Sequence, residues 1–154
     1  MVHARPYMVA DKQACLALFD GNVPIFFDAT ERAGFAAFLD SPCGVYFILE
    51  EDGAVIGCGG FAKEGRGQAR FTWGMVDQNC HGKGLGRLLA EYRLQAIEDA
   101  GDFSEVELFT TKIVAPFFAR FGFVVAEVEK DGFAPGLDKV QMIKNLNSAA
   151  AKLV

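Results

Sequence analysis

The segment Val76-Asp77-Gln78-Asn79-Cys80-His81-Gly82-Lys83-Gly84-Leu85-Gly86-Arg87-Leu88-Leu89 constrains this chain more than any other. Its three alternating glycines follow an apolar run at 69–76 that reads as a strand. They precede a helical pattern that sets Leu85, Leu88, Leu89, Tyr92 and Ala96 on one face and ends at Gly101. Glycine lets a backbone approach a ligand and turn its N–H groups inward. The first amides of a helix have no acceptor within it and lie at the positive end of its dipole. Strand, glycine loop and helix in this order predict an anion site for a phosphate or pyrophosphate, with Lys83 and Arg87 at its rim. The competing reading is a glycine-rich turn that binds nothing.

Two familiar phosphate loops do not fit. A Walker A loop needs Ser or Thr after Gly-Lys, and Gly84 stands there. A dinucleotide fingerprint needs Gly where this chain has Arg87, and it opens the first strand–helix unit, whereas three strands are expected before this loop.

Those strands come from the surrounding pattern. Asp11 reads as the N-cap of a helix carrying Cys15, Leu16, Leu18 and Phe19, and Asp28 with Glu31 as a capping box opening a second helix. Val45–Leu49 and Ala54–Cys58 form a hairpin about Glu51-Asp52-Gly53, and a turn at Gly65-Arg66-Gly67 leads to the strand Ala69–Val76. Gly57, Gly59 and Gly60 mark a bulge or a close backbone approach. After the long helix come a strand at Val106–Thr110, a short helix at 113–121, and strands at Phe123–Glu129 and Lys139–Leu146. The order is an antiparallel meander followed by a strand–helix–strand–helix–strand half, a mixed α/β domain spanning 1–154.

Composition narrows the function. Twenty acidic residues against fifteen basic ones, with no Lys/Arg cluster, argue against a nucleic-acid partner. Cys15, Cys43, Cys58 and Cys80 are scattered, and His3 and His81 add no ligand spacing, so no metal site is expected. No run reaches the roughly 20 apolar residues of a membrane helix, and the N-terminus is not that of a signal peptide. The expectation is a reduced, soluble, cytoplasmic protein.

His81-Gly82-Lys83-Gly84-Leu85-Gly86 resembles the Gln/Arg-x-x-Gly-x-Gly/Ala core of the GNAT superfamily of acyl-CoA N-acyltransferases. Ala115-Pro116-Phe117-Phe118-Ala119-Arg120-Phe121-Gly122-Phe123 resembles its second motif, and Asp138–Leu146 its final strand, with a helical N-terminus completing the pattern. The resemblance implies a central, mostly antiparallel sheet split at the cofactor site and flanked by helices. It also implies acetyl-CoA as acyl donor and direct transfer of the acetyl group to a primary amine of a small molecule or peptide. A homodimer is compatible with it. The rival reading is a non-catalytic acyl-CoA binding or sensor protein.

Carried over residue by residue, backbone groups of Met75 and Val76 would pair with pantetheine. Amides of His81, Gly82, Lys83, Gly84, Leu85 and Gly86, with Arg87 beside them, would hold the pyrophosphate. Thr111 stands where many members contact the cofactor through Asn. The Trp73–Gly74 bond lies where members often bulge, so the Gly74 backbone is expected to polarise the acetyl carbonyl. Trp73 itself reads as core or pocket wall. Phe118 occupies the place of a Tyr that protonates the leaving thiolate, and a phenyl ring has no proton to give. Tyr46 and Tyr92 read as core. Among Glu64, Asp77 and His81, Glu64 is the preferred general base, in competition with a solvated turn charge. Phe26, Phe27, Phe35 and Phe38 read as an acceptor-pocket lining or as core, and Cys58 and Cys80 as structural.

Overall fold

The computed structural model describes residues 1–146. A seven-stranded sheet runs in the order β1-β2-β3-β4-β5-β7-β6, and every pairing is antiparallel except that of β4 with β5. The strands are β1 (Val2–Pro6), β2 (Val45–Glu51), β3 (Ala54–Gly65), β4 (Gln68–Val76), β5 (Glu105–Thr110), β6 (Val124–Ala134) and β7 (Leu137–Asn145). The helices are α1 (Lys12–Gly21), α2 (Arg32–Asp40), α3 (Leu85–Ala100) and the short α4 (Ala115–Ala119). Among the described residues no helix is long and apolar enough to cross a membrane, and no group of three or more His, Cys, Asp or Glu could hold a metal ion.

Helices cover both faces of the central strands, which is why Tyr46, Phe47, Ile48 and Leu49 of β2 form a continuous apolar run and are all buried. On one face α1 and α2 pack Phe19, Phe35 and Leu39 against Tyr46, Ile48 and Cys58. On the other, Phe71, Ile97, Val106, Leu108 and Phe123 form a second core. Asp52 and Gly53 both have positive φ, the condition for a two-residue hairpin turn between β2 and β3.

The sequence expectations differ from the structure at identifiable places. β1 precedes the N-terminal helices and was not anticipated; it is an edge strand, and His3, Arg5 and Pro6 hide its period. Asp11 does stand before α1 but does not cap it. Its carboxylate accepts instead from the Met8 amide at 2.9 Å and from both terminal nitrogens of Arg5 at 2.9 and 2.8 Å. The Asp28–Glu31 box forms as read, around a single 3-10 turn leading into α2. β3 runs on to Gly65, so Gly57, Gly59 and Gly60 lie inside it. α4 is shorter than 113–121, and β6 longer than Phe123–Glu129. On α3 the buried line is Leu85, Leu89, Arg93 and Ile97, while Leu88 and Tyr92 reach solvent.

Candidate active site

β4 and β5 are paired only at Gln68–Glu105, Ala69–Val106 and Arg70–Glu107, although β4 continues to Val76 and β5 to Thr110. The sheet therefore parts beyond Arg70. Antiparallel pairing on the other side of β4 fixes which groups face the gap. The Asp77 amide donates to the Ile56 carbonyl at 2.8 Å, and the register pairs Met75 with Cys58. Strand alternation then turns the Met75 main chain toward β3, and that of Gly74 and Val76 toward the open side.

A bulge lies at the same level. Between the pairs Cys58–Met75 and Gly60–Thr72, β3 advances two residues while β4 advances three, and Trp73 has φ +37°. The extra residue kinks β4 beside the gap. Two contacts hold it. The Tyr46 hydroxyl donates to the Trp73 carbonyl at 2.7 Å, and the Trp73 ring lies among Phe27, Phe35 and Phe38, with Phe35 at 4.9 Å. Close approach here requires glycine, since a Cβ at Gly60 would stand 2.0 Å from the Val45 carbonyl oxygen.

The glycine loop closes one end of the gap. Gly82 and Gly84 have φ of +83° and +79°, and a Cβ on either would meet nothing within 4 Å. Gly84 is the N-cap of α3, so the free amides of its first turn open onto uncrowded space. At Gly86 a Cβ would come within 3.4 Å of the Phe117 ring, which ties the start of α3 to α4. Lys83 and Arg87 are exposed, and Arg87 reaches Glu91 at 3.4 Å.

The remaining expected residues divide into those at the gap and those away from it. The His81 ring nitrogen Nε2 bonds the Val76 carbonyl at 3.0 Å, and the ring meets Phe26 edge-on at 5.3 Å. A nitrogen bonding a carbonyl must carry the proton, so this His81 nitrogen is a donor. Asp77 caps its own turn, accepting from the Asn79 amide at 2.8 Å. Thr111 follows β5 and is buried, and its hydroxyl oxygen has no partner among the described residues; the Thr72 hydroxyl on β4 is in the same condition. Phe118 packs against Phe117, Phe123 and Phe71 at 5.1, 5.8 and 6.3 Å. Glu64 lies at the paired end of the strands, 3.3 Å from Arg70, whose Nε donates to Glu107 at 2.7 Å. Burial raises the Cys58 thiol well above its ordinary range, so it stays protonated.

Three residues at this site were not singled out from the sequence. Asn22, at the end of α1, donates to the carbonyls of Leu18 and Val76 at 2.7 and 3.0 Å, tying α1 to the open end of β4. Glu107 is a buried carboxylate on β5 held by Arg70 and by Gln141 at 2.6 Å. Arg93 is buried, its guanidinium 3.8 Å from the centre of the Phe71 ring and stacked over it. Its side chain fills the space beside Gly59 and Gly74, where a Cβ on Gly74 would come within 2.8 Å of a terminal nitrogen. The signal for it was available, because Leu85, Leu89, Arg93 and Ile97 recur every four residues.

A family model described as an acetyltransferase (GNAT) domain matches residues 42–125, more than half of the chain and inclusive of the bulge, the loop and α4. The chain belongs to the GNAT acetyltransferase family. Solved structures share its fold at low identity. A GNAT-family protein from Desulfovibrio desulfuricans superposes with a TM-score of 0.79 at 21% identity, covering 94% of this chain and 99% of its own. A ribosomal-protein-alanine N-acetyltransferase from Brucella melitensis gives 0.72 at 19%, covering 94% and 99%. A Salmonella typhimurium protein solved with its cofactor acetyl-CoA gives 0.71 at 20%, covering 95% and 94%. No curated protein sequence matches.

Acetyl-CoA is the acyl donor of GNAT acetyltransferases, and the residues present fit it. The parted strands offer an edge for an extended chain, the Gly82–Gly84 cradle is open to an anion, and the buried hydroxyls of Thr72 and Thr111 lack partners among the described residues. The mixed sheet split beside the loop agrees with the expected architecture.

Proposed function

We propose that this GNAT acetyltransferase is an N-acetyltransferase acting on a primary amine by direct attack, as one domain spanning residues 1–154. The observation that best supports this is the end of β4–β5 pairing at Arg70 and Glu107, close to the β4 bulge at Trp73, from which the Gly74 amide would face the gap. The Gly74 amide polarises the acetyl carbonyl, a donor fixed before the reaction and therefore needing no reorganisation during it. The Val76 carbonyl is engaged by Asn22 and His81, so pantetheine meets the Val76 amide. The Met75 main chain, expected to pair with pantetheine, is instead turned to β3 by its pairing with Cys58, so it orients the stretch without offering its own backbone to the cofactor. Amides from His81 to Gly86, with Lys83 and Arg87 at the rim, hold the pyrophosphate, and Thr111 and Phe118 line the gap.

Glu64 is the proposed general base. It is half exposed, but Arg70 beside it lies four residues, about 13 Å of strand, from Gly74, farther than one water spans, so a chain of several waters would have to carry the proton. The acceptor is a small amine or a peptide amine, docking on the Trp73 side, and the reaction takes place in the cytoplasm. Exposed Val124, Val125 and Val128 on the edge strand β6 supply a face for a second copy of the chain. A second reading, a non-catalytic acyl-CoA binder, is favoured by Phe118 alone, which cannot donate a proton.

Calorimetric titration with acetyl-CoA, against dephospho-CoA, ATP and NAD, tests the donor. Binding that is saturable and abolished by Gly84→Glu supports the reading, and a folded protein that binds no CoA ester overturns it. Thiol release dependent on an added amine, from a panel including peptide N-termini, then separates the enzyme from the binder.

A further inference from the structure

Arg93 carries a buried charge with no carboxylate facing it among the described residues. Its Nη1 makes one long bond, 3.4 Å, to the Gly60 carbonyl, and its Nε is buried with no partner. The ionisable groups that face it are Tyr46 from β2 and Cys58 from β3, and burial keeps both neutral. Loss of water lowers the guanidinium to about 10, which leaves it cationic at neutral pH. An isolated buried ion is costly, and a methionine of similar length would fill the same space without that cost. The Phe71 ring and one long bond compensate this cation only in part, and an anion forming beside it would account for its place.

The proposed reaction generates one. The amine nitrogen bonds to the carbonyl carbon, the carbon–sulfur bond breaks, and the electron pair leaves on sulfur as a thiolate, while the amine proton passes to the base. Phe118 cannot protonate that sulfur. Phe118 lies edge-on to Phe71, and Phe71 carries Arg93 on its face. We propose that Arg93 is the counter-charge for the thiolate leaving acetyl-CoA. Its charge acts across Gly74, which has no side chain to intervene, so that no proton is needed from position 118. Arg93 is thus a positioning residue for charge, and its role rests on the acetyl-CoA reading above.

The test is titration of the thiol of coenzyme A bound to the whole protein, followed by the ultraviolet absorbance of the thiolate. In the wild type the bound thiol titrates below free coenzyme A. Arg93→Met raises its pKa by about one unit, a tenfold loss of thiolate at a given pH, and melts no lower than wild type. Arg93→Lys restores most of the shift. A purely structural role would lower the melting temperature and leave the thiol unmoved. Equal titration in wild type and Arg93→Met, or a wild-type bound thiol indistinguishable from free coenzyme A, overturns the proposal. The second comparison needs no variant, so it decides even if Arg93→Met does not fold. A folded wild type that binds no coenzyme A overturns the donor reading itself, and this proposal with it.

Discussion

The hydroxyl of Tyr46 donates a 2.7 Å hydrogen bond to the carbonyl of Trp73, the residue whose positive φ makes the β4 bulge. Tyr46 is fully buried and its ionisation is pushed well above the ordinary range by burial, so it remains a donor throughout the working pH range. Tyr46→Phe leaves a buried carbonyl without this partner and should cost about 1–3 kcal/mol in urea unfolding. The same variant should lower turnover more than acetyl-CoA affinity, since the Gly74 amide loses its fixed aim. Unchanged turnover with lowered stability would assign Tyr46 to the core alone.

Gly84 combines a left-handed backbone with open space, so its substitutions separate strain from bulk. Gly84→Ala meets no atom but forces a Cβ into the left-handed region, at roughly 1–2 kcal/mol. Gly84→Asn, a residue that visits that region, should recover most of the lost stability. Both can be ranked by thermal melting. Equal melting of all three proteins would mean that the loop is not held in this conformation in solution.

Gly60 has the opposite problem. With the Val45 carbonyl oxygen 2.0 Å from its missing Cβ, Gly60→Ala must separate β2 from β3. We expect a loss above about 4 kcal/mol and mostly insoluble expression. Gly53→Ala, at a hairpin turn with nothing nearby, serves as the contrast and should stay soluble.

The Arg5–Asp11 pair couples stability to acid. Hydrogen bonding from Arg5 is the main cause that holds the Asp11 carboxyl below its ordinary 3.8, and the Met8 amide adds to it. A depressed folded value contributes stability that is present above the unfolded pKa and disappears as pH falls through the folded one. Asp11→Asn should therefore melt below wild type at neutral pH, with the difference closing below about pH 4. A constant difference across that range would remove the ion pair from the explanation.

Phe118→Tyr returns a phenol to the place where the family motif has one. Transfer by this variant, taken relative to the parent at each pH, should be raised near neutral pH and lose that advantage as pH rises through the ordinary tyrosine range near 10. Identical pH profiles would mean that residue 118 does not face the leaving sulfur.

What could be read from the sequence followed the range of the interactions. The glycine loop, the Asp28–Glu31 box and the hairpin at Asp52-Gly53 are set by residues within a few positions, and all were visible. The level of the split was not, because it depends on where two strands over thirty residues apart stop pairing. β1 was missed because its pairing with β2 spans more than forty residues and its own five residues carry little pattern. Arg93 was missed for a different reason. Beside Glu91 it looks like one of many helix-surface charges, and only the four-residue recurrence from Leu85 to Ile97 puts it inside.

At Gly59, Gly60 and Gly74 the sheet is only a backbone thick, with no side chains to insulate one face from the other. Arg93 reaches this point from the α3 side, yet its charge favours ionisation of Tyr46 and Cys58 on the α1–α2 side, against the larger opposing effect of their burial. The sheet acts there as a thin electrical membrane rather than a wall. If the acceptor docks past Trp73 as proposed, it enters a field anchored in a helix that it never touches, and the two halves of the molecule cannot be re-engineered independently.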